Sequence, residues 1–115
     1  MTRATILLLI TIFASGCAHR PESEEAKRGR DHIQYYGCTS CHTIPGIDGA
    51  HATVGPPLDR MGTRTYIAGI LPNDVASMSL WIQHPQRIHP GNAMPELGVT
   101  SADANDIARY LEELH

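Results

Sequence analysis

The chain has 115 residues, 42% of them hydrophobic, with nine Lys/Arg against twelve Asp/Glu and a formal net charge of −3. That length holds one small domain, of a size at which apolar burial alone leaves stability marginal. The acidic balance excludes a nucleic-acid binder, which needs clustered basic residues.

The first element is a leader. Met1-Thr2-Arg3 precedes an apolar run from Ala4 to Phe13, which closes on Ala14-Ser15-Gly16-Cys17. A short basic end, an apolar stretch too brief to span a bilayer and small residues behind it read as an export signal over residues 1–16. Ala14-Ser15-Gly16-Cys17 resembles the lipobox of bacterial lipoproteins, whose cysteine is acylated and becomes the mature N-terminus, although Ala14 departs from the usual Leu. The competing reading of Cys17 is a lone buried cysteine behind an ordinary cleavage site. Acylation by more than one chain would keep the protein at the membrane, since a single chain binds only marginally. The expected location is therefore lipid-anchored on the periplasmic, outer face of the cytoplasmic membrane. Residues 17–115 carry eight of the nine Lys/Arg and all twelve Asp/Glu, a net of −4.

Residues 17–27 read as the lipidated cysteine and a solvated tether, because His19-Arg20-Pro21-Glu22-Ser23-Glu24-Glu25 is polar and lacks apolar periodicity. About ten residues, fully extended, reach about 35 Å from a membrane surface. An amphipathic helix is expected between Glu24 and Tyr36, with Ala26, Ile33 and either Tyr35 or Tyr36 inward, and Gly37 ends it. Gly29 within it is either a close-packing point against another helix or a tolerated surface glycine.

Cys38-Thr39-Ser40-Cys41-His42 follows directly. Cys-x-x-Cys-His reads as the attachment site of a c-type haem. Two thiols so spaced can each add to one vinyl group of a single porphyrin, and the adjacent imidazole then lies below the iron. A thioredoxin-like redox pair would need a βαβ context, which is absent, and a zinc site would need two more soft ligands. Export and haem attachment support each other, because c-type haem is attached outside the bacterial inner membrane. A covalent haem would also supply much of the core that so short a chain lacks.

From Thr43 to Pro57 the sequence is rich in Gly and Pro, a loop wrapped around a ligand edge. A second helix is expected from Asn73 to His84, where Val75, Met78, Leu80, Trp81 and Ile82 cluster, and Pro85 stops it. The last helix has Thr100 or Ser101 as N-cap, Asp103 in its first turn, and an apolar stripe of Ile107, Ala108, Tyr110, Leu111 and Leu114. Strand signals are nearly absent, so the fold class expected is all-α.

An iron bound by His42 needs a sixth ligand for electron transfer, or an open position for gas or peroxide chemistry. Met61 lies in a Gly- and Arg-containing loop and Met78 within the helical cluster. Met94 lies in Pro90-Gly91-Asn92-Ala93-Met94-Pro95, irregular backbone able to present a side chain edge-on to a flat ligand. Met94 is the preferred axial ligand, with His84 and His89 as the alternatives. A thioether keeps water off the iron and favours the ferrous state.

Gly37 to Gly46, then Gly55-Pro56-Pro57-Leu58, Arg64, Trp81-Ile82-Gln83-His84-Pro85-Gln86, Pro90 to Pro95 and Tyr110-Leu111 together resemble class I cytochrome c. The nearest likeness is to the cytochrome c domain fused to subunit II of bacterial haem-copper oxidases, and it covers residues 28–115. The resemblance implies three core helices around one covalent haem c, with the first and last helices crossing near Gly29 and Tyr110. It implies that Pro56 offers its carbonyl to the Nδ1 proton of His42, that Leu58 packs on the haem, and that Trp81 packs beside the methionine ligand. Arg64 and Asn92 would reach the propionates; without the resemblance, Arg64 reads as a solvated loop arginine.

The oxidase-fused domain follows an electron-accepting copper domain and a pair of membrane helices, neither of which is in this sequence. The lysine ring by which soluble mitochondrial cytochrome c docks is also missing, and Ala93 is neutral. A weakly charged haem edge favours brief, apolar redox encounters. The function so implied is one-electron transport in a bacterial respiratory chain, to a terminal oxidase or within a quinol-oxidising complex of the alternative complex III type, with no small-molecule substrate. The rival reading is a five-coordinate haem enzyme, or a sensor of gas or peroxide.

Overall fold

The structure, a computed structural model, describes residues 21–115. The expected signal segment 1–16, Cys17 and the first part of the tether lie outside the described residues. Among the described residues four helices carry the architecture: α1 (Glu24–Tyr35), α2 (Val75–Gln83), α3 (Pro85–Ile88) and α4 (Ser101–Glu112). Single 3₁₀ turns lie at Cys38–Ser40 and Met61–Thr63, and the all-α class holds. The strand content of the described residues is one hairpin, β1 (Tyr66–Ile67) against β2 (Leu71–Pro72), turned through Ala68 and Gly69 at positive φ.

The helix ends follow their local chemistry. Ser23 caps α1 by accepting from the Ala26 amide at 3.1 Å, and Glu24 and Glu25 sit in the first turn, where the helix dipole favours negative charge. Gly37 follows the helix in left-handed backbone, φ 74°, which a residue without Cβ adopts at no steric cost. Asp74 caps α2 through the Ser77 amide, and Thr100, not Ser101, caps α4 by accepting from the Asp103 amide. Pro85 was expected only to stop the second helix. It also opens α3, because its fixed φ and missing N–H suit the first position of a helix.

α1 and α4 pack closely, with α2 against α4, and the core lies between them. Ala26 and Ile33 of α1 and Ala104, Ile107 and Ala108 of α4 are all at most 2% exposed. Burial of each isoleucine contributes about 2 kcal/mol. Of the two candidate tyrosines, Tyr36 turns inward and Tyr35 is 80% exposed. Leu80, expected in the apolar cluster of the second helix, instead faces outward on the side away from Met78 and Ile82.

The crossing point is set by Gly29. A Cβ there would lie 2.1 Å from the Asp106 carbonyl oxygen and 3.0 Å from the Ile107 Cα, so the two backbones touch. The contact therefore lies one turn before Tyr110, whose hydroxyl reaches across to donate to the Pro45 carbonyl at 2.6 Å. Arg28 closes the crossing with a two-pronged pair, Nε and Nη2 donating to Asp106 at 2.7 and 3.0 Å. Tyr36 donates to Asp103 at 2.6 Å, and His32 Nε2 lies 3.3 Å from the same carboxylate.

Candidate functional site

The end of α1 delivers the Cys-x-x-Cys-His motif directly. After Gly37 the chain tightens into the 3₁₀ turn Cys38–Ser40, and the Cys38 carbonyl accepts from the amides of both Cys41 and His42, at 3.2 and 3.1 Å. That turn puts the two thiols and the imidazole within five consecutive residues of fixed backbone. Neither cysteine is in a disulfide, and both are part-exposed. Burial pushes the Cys38 thiol up from its ordinary value, and the neighbouring Cys41 adds to the shift.

The Gly/Pro-rich loop returns across the back of the motif. The Gly55 amide donates to the Cys41 carbonyl at 2.7 Å and the Leu58 amide to the Thr43 carbonyl at 2.9 Å. This register sets the Pro56 carbonyl 2.7 Å from His42 Nδ1. With that nitrogen donating, the tautomer is fixed and the lone pair is on Nε2, the atom available to a metal. A Cβ on Gly55 would lie 2.4 Å from Cε1 of His42, so the imidazole fills the space that a side chain there would need.

Leu58 and Trp81 pack on the core from partly exposed positions, as do Leu71 and Val75. Arg64 donates through Nη2 to the carbonyls of Pro57 and Asp59, at 2.7 and 2.9 Å, and lies 3.6 Å from the Asp59 carboxylate. It ties down the loop that carries Pro56. Asn73, which sequence reasoning did not single out, donates to the carbonyls of Met61 and Arg64 and braces the same loop from α2's side.

The methionines separate by environment. Met61 and Met78 are 4% and 1% exposed among core residues, whereas Met94 is half-buried on irregular backbone. Two amide side chains hold it. Asn92 Oδ1 accepts from the Met94 amide at 2.8 Å, and Gln86 Nε2 donates to the Met94 carbonyl at 2.7 Å. Asn92 was expected to donate to a propionate. In this structure its Nδ2 donates to the carbonyls of Pro85 and His89, at 2.9 and 2.7 Å. The histidines weighed against Met94 flank α3, His84 half-buried at its start and His89 exposed at its end.

The donor set fits a c-type haem: two unpaired thiols in one turn, an imidazole with Nε2 left for iron, and a loop shaped around that ring by Gly55. Two clefts lie elsewhere. One of about 740 Å³ is bordered by Arg28, His32, Asp103 and Asp106 of the helix crossing, and one of about 350 Å³ lies under the Thr43–His51 loop. Neither is lined by Cys38, His42 or Met94, so the clefts do not mark the site.

The cytochrome c family model matches residues 26–115. The "Cytochrome c oxidase subunit 2" of Bacillus subtilis (strain 168) is 31% identical over 99 residues, 81% of this chain and 27% of that protein. The protein of the same name from Bacillus sp. (strain PS3) is 30% identical over 81 residues, 67% of this chain and 23% of that protein. The chain thus spans about a quarter of the length of these relatives.

Proposed function

This chain belongs to the cytochrome c family, and we propose that it is a monohaem electron carrier with its haem joined through thioethers to Cys38 and Cys41 and its iron bound between His42 and Met94. The observation that carries this reading is the hydrogen bond from His42 Nδ1 to the Pro56 carbonyl, 2.7 Å. An imidazole so fixed presents Nε2 in one orientation and is a stronger donor to iron. The haem supplies a one-electron iron couple. His42, fixed through the Pro56 carbonyl, and Met94, whose backbone Gln86 and Asn92 hold, would take the two ligand positions and leave none open for a substrate. Ligands so held would need little rearrangement when the oxidation state changes.

We further propose that Cys17 is acylated and that the carrier works tethered outside the cytoplasmic membrane. The folded domain, which α1 opens at Glu24, would exchange electrons with a respiratory complex. The subunit 2 name of the two relatives supports a terminal oxidase as the acceptor, and a permanent place in a quinol-oxidising complex would use the same site. Mass spectrometry of the mature N-terminus is expected to find a lipidated Cys17; an unmodified start at Cys17 or Ala18 would refute the anchor.

The ligand set has its own test. The ferric protein should show the weak red charge-transfer band of thioether ligation, the ferrous protein should resist carbon monoxide, and Met94→Ala should abolish the band. Rapid carbon monoxide binding by the unaltered ferrous protein, with no such band in the ferric form, would instead establish the five-coordinate enzyme or sensor.

A further inference from the structure

The segment that carries Met94 has almost no regular structure, yet its backbone is not loose. Between α3 and α4 the chain runs through Pro90-Gly91-Asn92-Ala93-Met94-Pro95, where prolines remove two amide donors. Irregular backbone of this kind has no ladder to satisfy it, and its polar groups need partners of another sort. Gln86, in the middle of α3, supplies most of them. Its Nε2 donates to the carbonyls of Asn92 and Met94 at 2.8 and 2.7 Å, and its Oε1 accepts from the Gly91 amide at 3.1 Å. One side chain thus bonds three residues of the segment. Asn92 completes the arrangement by accepting from the Met94 amide, so that both backbone polar groups of Met94 are held by amide side chains.

We propose that Gln86 is the positioning residue of the Met94 ligand: it fixes the backbone from which the thioether reaches iron and so sets how readily that ligand can be displaced. The proposal rests on Met94 being the sixth ligand. Gln86 suits the role because a primary amide offers donors and an acceptor in one plane. A thioether is a weak, neutral ligand, and its hold on iron depends on being kept in place. A freely moving segment would let the sulfur leave and an outside ligand enter, whereas the amide clamp makes departure cost the hydrogen bonds of Gln86 to the segment.

The test compares haem-loaded proteins: unaltered, Gln86→Leu and Gln83→Leu. Gln83 is also a helical glutamine whose amide bonds backbone, at Ser79, but its hydrogen bonds do not reach the Met94 segment. Imidazole titrated into the ferric protein reads how easily the thioether is displaced. Gln86→Leu should bind imidazole at least tenfold more tightly than the unaltered protein and lose intensity in the thioether band, and Gln83→Leu should do neither. Equal affinities in all three proteins would overturn the positioning role, as would an equal gain in both variants, which would trace the effect to general loosening. If the unaltered protein lacks the thioether band, the ligand assignment falls and this inference with it; a band present but insensitive to Gln86→Leu removes this inference alone. Should Gln86→Leu fail to load haem, hydrogen exchange at the Gly91 amide of the unaltered protein, which donates to Gln86 Oε1, still decides. Strong protection is expected from Gln86, and exchange at the rate of an open loop would overturn the clamp.

Discussion

The helix crossing and the loops that hold the candidate ligands are built from different materials. At the crossing, α1 and α4 meet through a backbone contact at Gly29, buried aliphatics and charged pairs, and eight of the twelve acidic residues lie in residues 22–31 and 103–113. In the loops the ties run from side-chain amides, a guanidinium and an imidazole to backbone carbonyls: Gln86, Asn92, Asn73, Arg64 and His42. Packed helices bury apolar area of their own. A loop of Gly and Pro has little area of its own to bury, and its hydrogen bonds fix geometry more than they add stability. The first region is a framework and the second a holder shaped to a ligand.

One substitution applied in both places should separate them. Gly29→Ala sets a methyl group 2.1 Å from a backbone oxygen that cannot move without parting the helices. Overpacking of this kind outweighs the gain in helix propensity, and the haem-loaded protein is expected to lose about 3 kcal/mol of stability in urea unfolding. A loss below about 1 kcal/mol would show that the crossing can shift and that the framework is not rigid. Gly55→Ala sets its methyl group against the His42 ring, a side chain that can rotate away. Only the bond to Pro56 and the ring's orientation are lost, so stability should fall by about 1 kcal/mol. The effect should fall on the iron: a changed ferric spectrum and carbon monoxide binding by the ferrous form. An unchanged spectrum would mean that the loop tolerates both rings and is no holder.

The same division explains what could be read from the sequence. Caps, helix spans and the inward stripe of α4 follow from patterns a few residues long, so Ser23, Asp74 and Thr100 end their helices where local chemistry puts them. Cys38, Cys41 and His42 are contiguous, and their motif is as legible as a helix. Leu80 was misplaced because an apolar run of Leu80-Trp81-Ile82 gives no period, and only packing against α4 decides which residue faces out. The partners of Asn92 and Gln86 were not legible, since an amide can donate to a propionate or to a carbonyl and the choice depends on where the chain returns. Tyr36 and Asp103 are 67 residues apart, and nothing local pairs them.

That last pair gives the smallest effect and a different kind of evidence. The Tyr36 hydroxyl holds the Asp103 carboxyl below its usual range, with Thr100 and His32 adding to it, and the same bond raises Tyr36. A lowered carboxyl stabilises the fold above its unfolded value, about 3.9, and the contribution is lost as pH falls through the lower folded value. A raised tyrosine contributes below its unfolded value, about 10, and loses that as pH rises through the higher folded value. Asp103→Asn should therefore be slightly less stable than the unaltered protein across a plateau from weakly acid to weakly alkaline pH, and the two should converge in acid. The clamp of Gln86 and Asn92 on Met94 contains no titratable side chain, so the stability difference made by Gln86→Leu should stay flat over the same acid range. Two sloping profiles would mean that the loops lean on the ionised crossing, and the division between framework and holder would fail.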